Sequence, residues 1–201
     1  MKPFTTASGA AMPLPIDDVN TDQMAPASAH EGADFGKLLF YRWREDPDFV
    51  LNQDRFKGAT ILVTGSNFGC GSSRETAVWA LAGFGFKCII ARSFSEVFRE
   101  NCLKNGLLPV VLPPDAAQAL EDAVVAVDGA EPCQVDLETQ QITCPGLGTL
   151  AFTIPANDRA ALLKGTDEIA LSLEQAEAIG RWEQRNAAER PWLQHMKKKL
   201  A

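Results

Sequence analysis

Three short apolar runs, at 59–64, 87–91 and 107–112, constrain the fold of this 201-residue chain more than any other feature. Each run is rich in branched residues and too short for a typical helix, which is typical of a strand buried on both faces. Segments of helix-like composition, 73–84 and 95–105, separate the runs. This alternation of strands and helices with short connections predicts a parallel α/β sheet with right-handed crossovers.

The segments on either side of this unit are predicted less sharply. The opening third, to about Lys57, is rich in turn-forming residues and is expected to be mostly loops, with a short helix over 36–43. The segments after the third strand are a helix at 115–127, an antiparallel meander at 133–137, 141–144 and 150–154, and helices at 157–164 and 173–188. We therefore expect one domain over 1–201, with a helical C-terminal extension from about residue 156.

Composition and charge exclude several classes of function. The net charge of −7 argues against a nucleic-acid-binding surface, which needs clustered lysine and arginine. We find no secretory signal and no apolar stretch long enough to cross a membrane, so a cytoplasmic protein without a membrane partner is expected. The five cysteines form no CxxC pair. Their odd number indicates reduced thiols, and their spacing suggests no metal site.

A glycine-rich loop, 65–75, follows the first of the three strands and leads into a helix. A loop in this position places backbone N–H groups and the positive end of a helix together, which predicts an anion site. The phosphate-loop pattern fails because the loop has no lysine, and the dinucleotide pattern meets Arg74 where its third glycine belongs. The nucleophile elbow has Glu75 in place of its last glycine. A nucleophilic Cys70 lacks a nearby histidine base in the sequence.

The loop nevertheless carries groups suited to a carboxylic acid. Arg74 can hold a carboxylate with a two-point fork, and Ser72 or Ser73 can exchange a proton with a bound acid. A serine acts as a base only where N–H donors and a helix end stabilise its alkoxide. The spacing of Ser72 and Glu75 also fits a capping box, in which Ser72 has a purely structural role. Both interpretations remain open on spacing alone.

The residues of this loop also carry a resemblance to a known family. Residues 67–75, Asn-Phe-Gly-Cys-Gly-Ser-Ser-Arg-Glu, resemble those of the small subunits of 3-isopropylmalate dehydratase, which are similar to the swivelling domain of aconitase. The segment Asp-Val-Asn-Thr-Asp-Gln at 18–23 resembles the family's substrate-facing turn. Further similar segments occur at 48–52, 93–101, 105–109 and 162–169, so the resemblance extends over nearly the whole chain.

The resemblance implies a fold and a chemistry. The fold is an aconitase swivelling-domain-like α/β structure, with a parallel or mixed, barrel-like sheet flanked by helices. The chemistry is that of a hydro-lyase, active only with a large subunit whose [4Fe-4S] cluster acts as a Lewis acid on a small di- or tricarboxylic acid. Ser72 corresponds to the catalytic base. Ser73, Arg74, Asp22 and Thr21 correspond to substrate-binding residues, and no metal is held by this chain.

Two departures from the family pattern bear on the substrate. Thr76 stands where the family usually has histidine. The loop at 25–34, expected to select the substrate side group, has no arginine or lysine and offers His30 and Glu31 instead. We therefore consider three hypotheses: leucine-pathway isopropylmalate as substrate; a paralogous hydro-lyase acting on another substituted malate, such as citramalate or citraconate, or on a citrate-like acid; and a non-catalytic carboxylate-binding module.

Overall fold

The structure is a computed structural model that describes residues 1–26, 34–72, 74–166 and 168–192. Its strands are β1 (Thr6–Gly9), β2 (Ala11–Leu14), β3 (Ile61–Thr64), β4 (Cys88–Ala91), β5 (Leu108–Val111), β6 (Cys133–Asp136), β7 (Gln141–Cys144) and β8 (Gly148–Ala151). Its helices are α1 (Thr21–Met24), α2 (Phe35–Leu38), α3 (Glu75–Phe84), α4 (Glu96–Lys104), α5 (Pro114–Val127), α6 (Ala156–Lys164), α7 (Glu168–Glu174) and α8 (Ala176–Glu189). Short 3-10 turns occupy Trp43–Glu45, Val50–Asn52 and Asp54–Phe56.

A four-stranded parallel sheet, in the order β2-β3-β4-β5, forms the centre of the fold. The three apolar runs of the sequence are β3, β4 and β5, so the predicted parallel unit is confirmed. The fourth strand, β2, lies beside β3 and was not expected, because its Ala-Met-Pro-Leu sequence has little strand propensity. Pro13 is tolerated there because β2 is at the edge of the sheet, where a missing backbone N–H costs no ladder bond.

A second four-stranded sheet, in the order β1-β6-β7-β8, is antiparallel throughout. Strands β6, β7 and β8 are the predicted meander, although β8 begins at Gly148 rather than at residue 150. The chain passes from this sheet into the parallel one between β1 and β2, with Ala10 as the connecting residue. The expected mixture of parallel and antiparallel strands flanked by helices is confirmed.

Alternating side chains of the central strands enter two hydrophobic clusters. Leu62 and Ile89 pack in the first cluster with residues of α3 and α4, among them Leu81 and Phe98. Ile61, Val63 and Ile90 pack in the second cluster, which also contains residues of α5 and of the antiparallel sheet. The two-residue period of a strand therefore buries both faces of the parallel sheet, as the continuous apolar runs predict.

Three predicted helices were wrong in their limits. The helix expected over 36–43 ends at Leu38, because Phe40 adopts a left-handed conformation with φ of 51° that no α-helix accommodates. The helix expected from residue 73 begins at Glu75. The helix expected over 173–188 is two helices, α7 and α8, separated at Gln175.

The chain divides into two compact units, Met1–Gly165 and Thr166–Ala201. Helix α6 belongs to the first unit, in which the backbone N–H of Phe4 donates to the carbonyl of Leu162 at 2.9 Å. A single domain with an extension from about residue 156 stays a prediction. Within the described ranges, no helix is long and apolar enough to cross a membrane.

Candidate functional site

Two segments singled out from the sequence, the turn at 17–22 and the glycine-rich loop at 65–74, lie side by side. Backbone hydrogen bonds connect them at three levels: Asp18 N donates to Ser66 O at 3.0 Å, Gly69 N to Val19 O at 2.8 Å, and Thr21 N to Cys70 O at 3.0 Å. The side-chain amide of Asn67 adds a bond to Asp18 Oδ1 at 2.7 Å. The glycine-rich loop is therefore held against the turn along most of its length.

A capping box that the sequence analysis missed shapes the turn. Asn20 Oδ1 accepts from the backbone N–H groups of Asp22 at 2.9 Å and Gln23 at 3.0 Å. The Gln23 side chain accepts in return from Asn20 N at 2.7 Å. This reciprocal pair starts α1 and fixes the backbone of Thr21 and Asp22. The signal was present, since asparagine three residues before glutamine is a variant of this motif.

An aromatic cluster of Phe68, Phe94 and Phe98 packs against the glycine-rich loop. Phe98 is fully buried and contacts Phe68 edge-to-face, with ring centroids 5.6 Å apart. Gly69 lies directly against the Phe98 ring, and a side chain at this position would overlap it. Gly69 also has φ of +78°, which favours glycine. The close approach of backbone to ring explains why this position needs glycine.

The functional side chains predicted from the sequence meet where the turn and the loop adjoin. Thr21 Oγ1 lies 3.3 Å from Ser72 Oγ, within hydrogen-bond distance. Arg74 forms an ion pair through Nη2 with Asp22 Oδ1. Thr21 is buried and Ser72 is exposed. Four residues separated by about 50 positions in the sequence are thus in two direct contacts.

The capping box expected at Ser72 and Glu75 is wrong. The N-cap of α3 is Arg74, with φ of −68° and ψ of 139°, and its side chain makes no capping hydrogen bond. Glu75 turns away from Ser72 and accepts a hydrogen bond from the Asn105 amide at 2.9 Å. The helix begins two residues later than the box requires, so the Ser72 hydroxyl has no capping role.

The Arg74 guanidinium keeps donors for a further acceptor. Its Nε atom is buried and has no hydrogen-bond partner among the residues that the structure describes. The side chain is 28% exposed, whereas Asp22 opposite it is 68% exposed. A half-buried guanidinium with one side on a carboxylate can bind a second carboxylate with its remaining N–H groups.

Comparison with known proteins places the chain in a family. A family model described as the aconitase C-terminal domain matches residues 1–115, and one described as the C-terminal domain of the 3-isopropylmalate dehydratase small subunit matches residues 168–195. A 3-isopropylmalate dehydratase small subunit of Rubrobacter xylanophilus is 46% identical over 186 residues, covering 91% of this chain and 94% of that protein. The chain belongs to the 3-isopropylmalate dehydratase small-subunit family. A member from Dinoroseobacter shibae is 43% identical over 203 residues, covering 96% of this chain and 100% of that protein.

A solved structure agrees with this family assignment. The crystal structure of a 3-isopropylmalate dehydratase from Methanocaldococcus jannaschii superposes with a TM-score of 0.62 at 26% identity. The superposed region covers 89% of this chain and 99% of the solved chain. The resemblance inferred from the glycine-rich loop and the expected fold class are both confirmed.

Some of the predicted site residues lie outside the described part of the chain. They are Ser73 of the glycine-rich loop and His30 and Glu31 of the loop expected to select the substrate. Their roles stay predictions. Thr76, which stands where the family usually has histidine, is half-buried in the first turn of α3.

The cysteines are distributed away from the site, with one exception. Cys88 and Cys102 are fully buried, and their burial raises the pKa of both thiols. Cys70 alone lies in the glycine-rich loop, where its thiol donates to Asp18 O at 3.3 Å. In the described ranges, no three His, Cys, Asp or Glu side chains lie close enough together to hold a metal ion.

Proposed function

We propose that this chain acts as the small subunit of 3-isopropylmalate dehydratase. In this role it works in the cytoplasm, in leucine biosynthesis, and interconverts 2-isopropylmalate and 3-isopropylmalate through isopropylmaleate once a large subunit is bound. The observation that carries the proposal is the pair of contacts, Thr21 with Ser72 and Asp22 with Arg74, at the start of α3. These contacts place an exposed hydroxyl, that of Ser72, and a half-buried guanidinium, that of Arg74, where the turn and the loop adjoin.

Ser72 is the proposed base. Dehydration removes a proton from the carbon beside a carboxylate and a hydroxyl from the neighbouring carbon, whose C–O bond breaks as the C=C bond forms. Ser72 Oγ, as an alkoxide, accepts that proton and returns it when water adds in the opposite orientation. The Thr21 hydroxyl, 3.3 Å away, is placed to donate to this oxygen, and the positive end of α3 favours its negative charge.

Arg74 is the proposed carboxylate-binding residue, with Ser73 beside it. The substrate carboxylate binds the guanidinium N–H groups that Asp22 leaves unused. Asp22 stays paired with Arg74 and limits the ways in which the guanidinium can turn. Proton removal at the adjacent carbon requires that this carboxylate be held in one orientation relative to Ser72.

The site needs a second protein chain to be complete. Ser72 is exposed, and covering it would exclude water and strengthen the electrostatic interactions that stabilise its alkoxide. We infer that this spot is covered by the large subunit, which holds a [4Fe-4S] cluster that supplies Lewis-acid activation of the departing hydroxyl. We place the cluster in the large subunit rather than in this chain, in part because Cys88 and Cys102 are buried in the core. His30 and Glu31 are proposed to contact the substrate side group.

Reconstitution of the chain with its large subunit tests this function. We expect Ser72→Ala to lower kcat by about 10²- to 10⁴-fold, the range of a general acid–base contribution. Ser66→Ala is the matched control, because Ser66 lies in the same loop and is bonded through its backbone to the turn. A Ser72→Ala complex as active as the Ser66→Ala complex would mean that the chain is a binding module. Turnover of citramalate without turnover of isopropylmalate would identify the paralogous hydro-lyase.

A further inference from the structure

The side chain of Asn105 connects the end of α4 to the first turn of α3. Its Nδ2 donates to Glu75 Oε1 at 2.9 Å, and its Oδ1 accepts from Trp79 Nε1 at 3.0 Å. Glu75 and Trp79 are four residues apart and so lie on one face of the helix. One half-buried amide therefore holds α3 at two points, one in its first turn and one at the start of its second.

Asn105 is itself fixed by α4. It is the C-cap residue of that helix, and its Nδ2 also donates to the carbonyl of Asn101 at 2.9 Å. An ionised Glu75 only accepts and the Trp79 indole only donates, so the pair needs a side chain with both a donor and an acceptor. Asparagine meets both requirements, whereas aspartate of the same shape does not.

A second side-chain contact at the N-terminus of α3 is the ion pair of Arg74 with Asp22. Arg74 is its N-cap residue and makes no capping hydrogen bond with its side chain. Arg74 precedes Glu75 directly, and Ser72 lies three residues before it. A shift in the first turn of α3 would therefore change the distances from Ser72 to Thr21 and from Arg74 to Asp22.

We propose that Asn105 is a positioning residue for the reaction. By fixing Glu75 and Trp79 it holds the start of α3 where Ser72 and Arg74 meet the substrate. This inference rests on the proposed function, since it assigns a purpose to the placement of those two residues. Asn105 is 30 positions from Glu75 in the sequence, and the hydrogen bonds that carry this inference join it to Glu75, Trp79 and Asn101.

An exchange of donor and acceptor tests the proposal in the complex with the large subunit. Asn105→Asp places a carboxylate against Glu75, and we expect kcat to fall by about 10- to 100-fold, as for a displacement of catalytic groups on the order of 1 Å. Glu75→Gln alone keeps an acceptor for Asn105 and is expected to retain near wild-type kcat. The double variant, Asn105→Asp with Glu75→Gln, restores the bond with its direction reversed. Its kcat is expected to return to within about fivefold of wild type, since the bond to Asn101 stays lost.

A matched control makes the same chemical change elsewhere. Gln118 on α5 donates to Asp122 Oδ1 at 2.9 Å and accepts from Arg92 at 2.8 Å, so it has the same pattern of partners as Asn105. Gln118→Glu is expected to leave kcat within about twofold of wild type.

The readout is kcat and KM per folded complex, with the folded fraction measured by circular dichroism at the assay temperature. A purely structural role would lower the unfolding midpoint and leave kcat per folded complex unchanged. If Asn105→Asp does not fold, Glu75→Ala replaces it in the test. This variant removes the bond between Glu75 and Asn105 by changing an exposed residue, and it is expected to lower kcat.

Two results would overturn the positioning role: a kcat per folded complex within twofold of wild type for the variant that removes the bond, or a double variant no more active than Asn105→Asp. Ser72→Ala, assayed in parallel, distinguishes failure of the positioning role from failure of the proposed function. An active Ser72→Ala complex contradicts the base, whereas an inactive one beside a fully active Asn105→Asp complex contradicts only the positioning role.

Discussion

Replacing Gly69 with alanine perturbs the base of the glycine-rich loop at one defined point. The new Cβ would overlap the Phe98 ring and would lie 2.6 Å from its Cδ2 atom. Phe98 is fully buried and packs between Phe68 and Phe94, so its ring has little room to move. Alanine must also adopt φ of +78°. The variant therefore combines backbone strain with overpacking.

Gly146 provides a control that carries only the first of these costs. Its φ is +79°, and nothing lies within 4 Å of a Cβ added there. The strained backbone should lower the free energy of unfolding by about 1–2 kcal/mol in either variant. Overpacking adds about 1–3 kcal/mol at Gly69 alone. We therefore expect Gly69→Ala to be about 1–3 kcal/mol less stable than Gly146→Ala.

Urea unfolding of both variants, followed by far-ultraviolet circular dichroism, measures the difference. The complex with the large subunit should also lose activity with Gly69→Ala and keep it with Gly146→Ala, because only the former displaces the loop that carries Ser72. Equal free energies of unfolding for the two variants would refute the argument that the loop backbone is fitted to the Phe98 ring.

Three further predictions follow from contacts and burial. Thr21→Val removes the hydroxyl beside Ser72. In steady-state kinetics, kcat of the complex should fall about tenfold with little change in KM. An unchanged kcat would exclude a role for this hydroxyl. Asp22→Asn releases Arg74 and should raise KM about tenfold. The free energy of unfolding should fall by less than about 1 kcal/mol, because the ion pair is partly exposed. A loss of stability larger than the loss of substrate affinity would contradict this prediction. Because burial raises the pKa of Cys88, the unfolded thiol ionises from about pH 8.5 while the folded one stays protonated, so the free energy of unfolding should fall as pH rises above that value. Cys88→Ala should reduce the decrease of the free energy of unfolding with pH, measured by urea titrations between about pH 8 and 10. An unchanged pH dependence would contradict this prediction.

Local sequence was sufficient for three strands of the parallel sheet but not for β1 and β2. Strands β3, β4 and β5 were predictable because, apart from the exposed Val111, they are buried on both faces and therefore mainly apolar. Strands β1 and β2 contain alanine, serine, glycine and proline, and they become strands only by pairing with β6 and β3. Such pairing over more than 45 residues leaves no pattern in the local sequence.

The structure brings together some of the residues named from the sequence, whereas their local geometry was not predictable. Ser72, Arg74, Thr21 and Asp22 were named from the sequence, and the structure brings them into two pairs. The assignment of a capping box to Ser72 failed because spacing alone cannot reveal that the Glu75 side chain bonds Asn105 instead. That partner comes from the end of another helix, so only the tertiary structure identifies it.

The central claim is that Ser72 takes a proton from the carbon beside a substrate carboxylate. Exchange of that hydrogen with solvent measures this step directly, without requiring complete turnover. The complex with the large subunit is incubated with isopropylmalate in deuterium oxide, and deuterium at carbon is followed by nuclear magnetic resonance. We predict exchange in the wild-type and Ser66→Ala complexes and none above background in Ser72→Ala at equal substrate occupancy. Exchange at the wild-type rate in the Ser72→Ala complex would contradict the account.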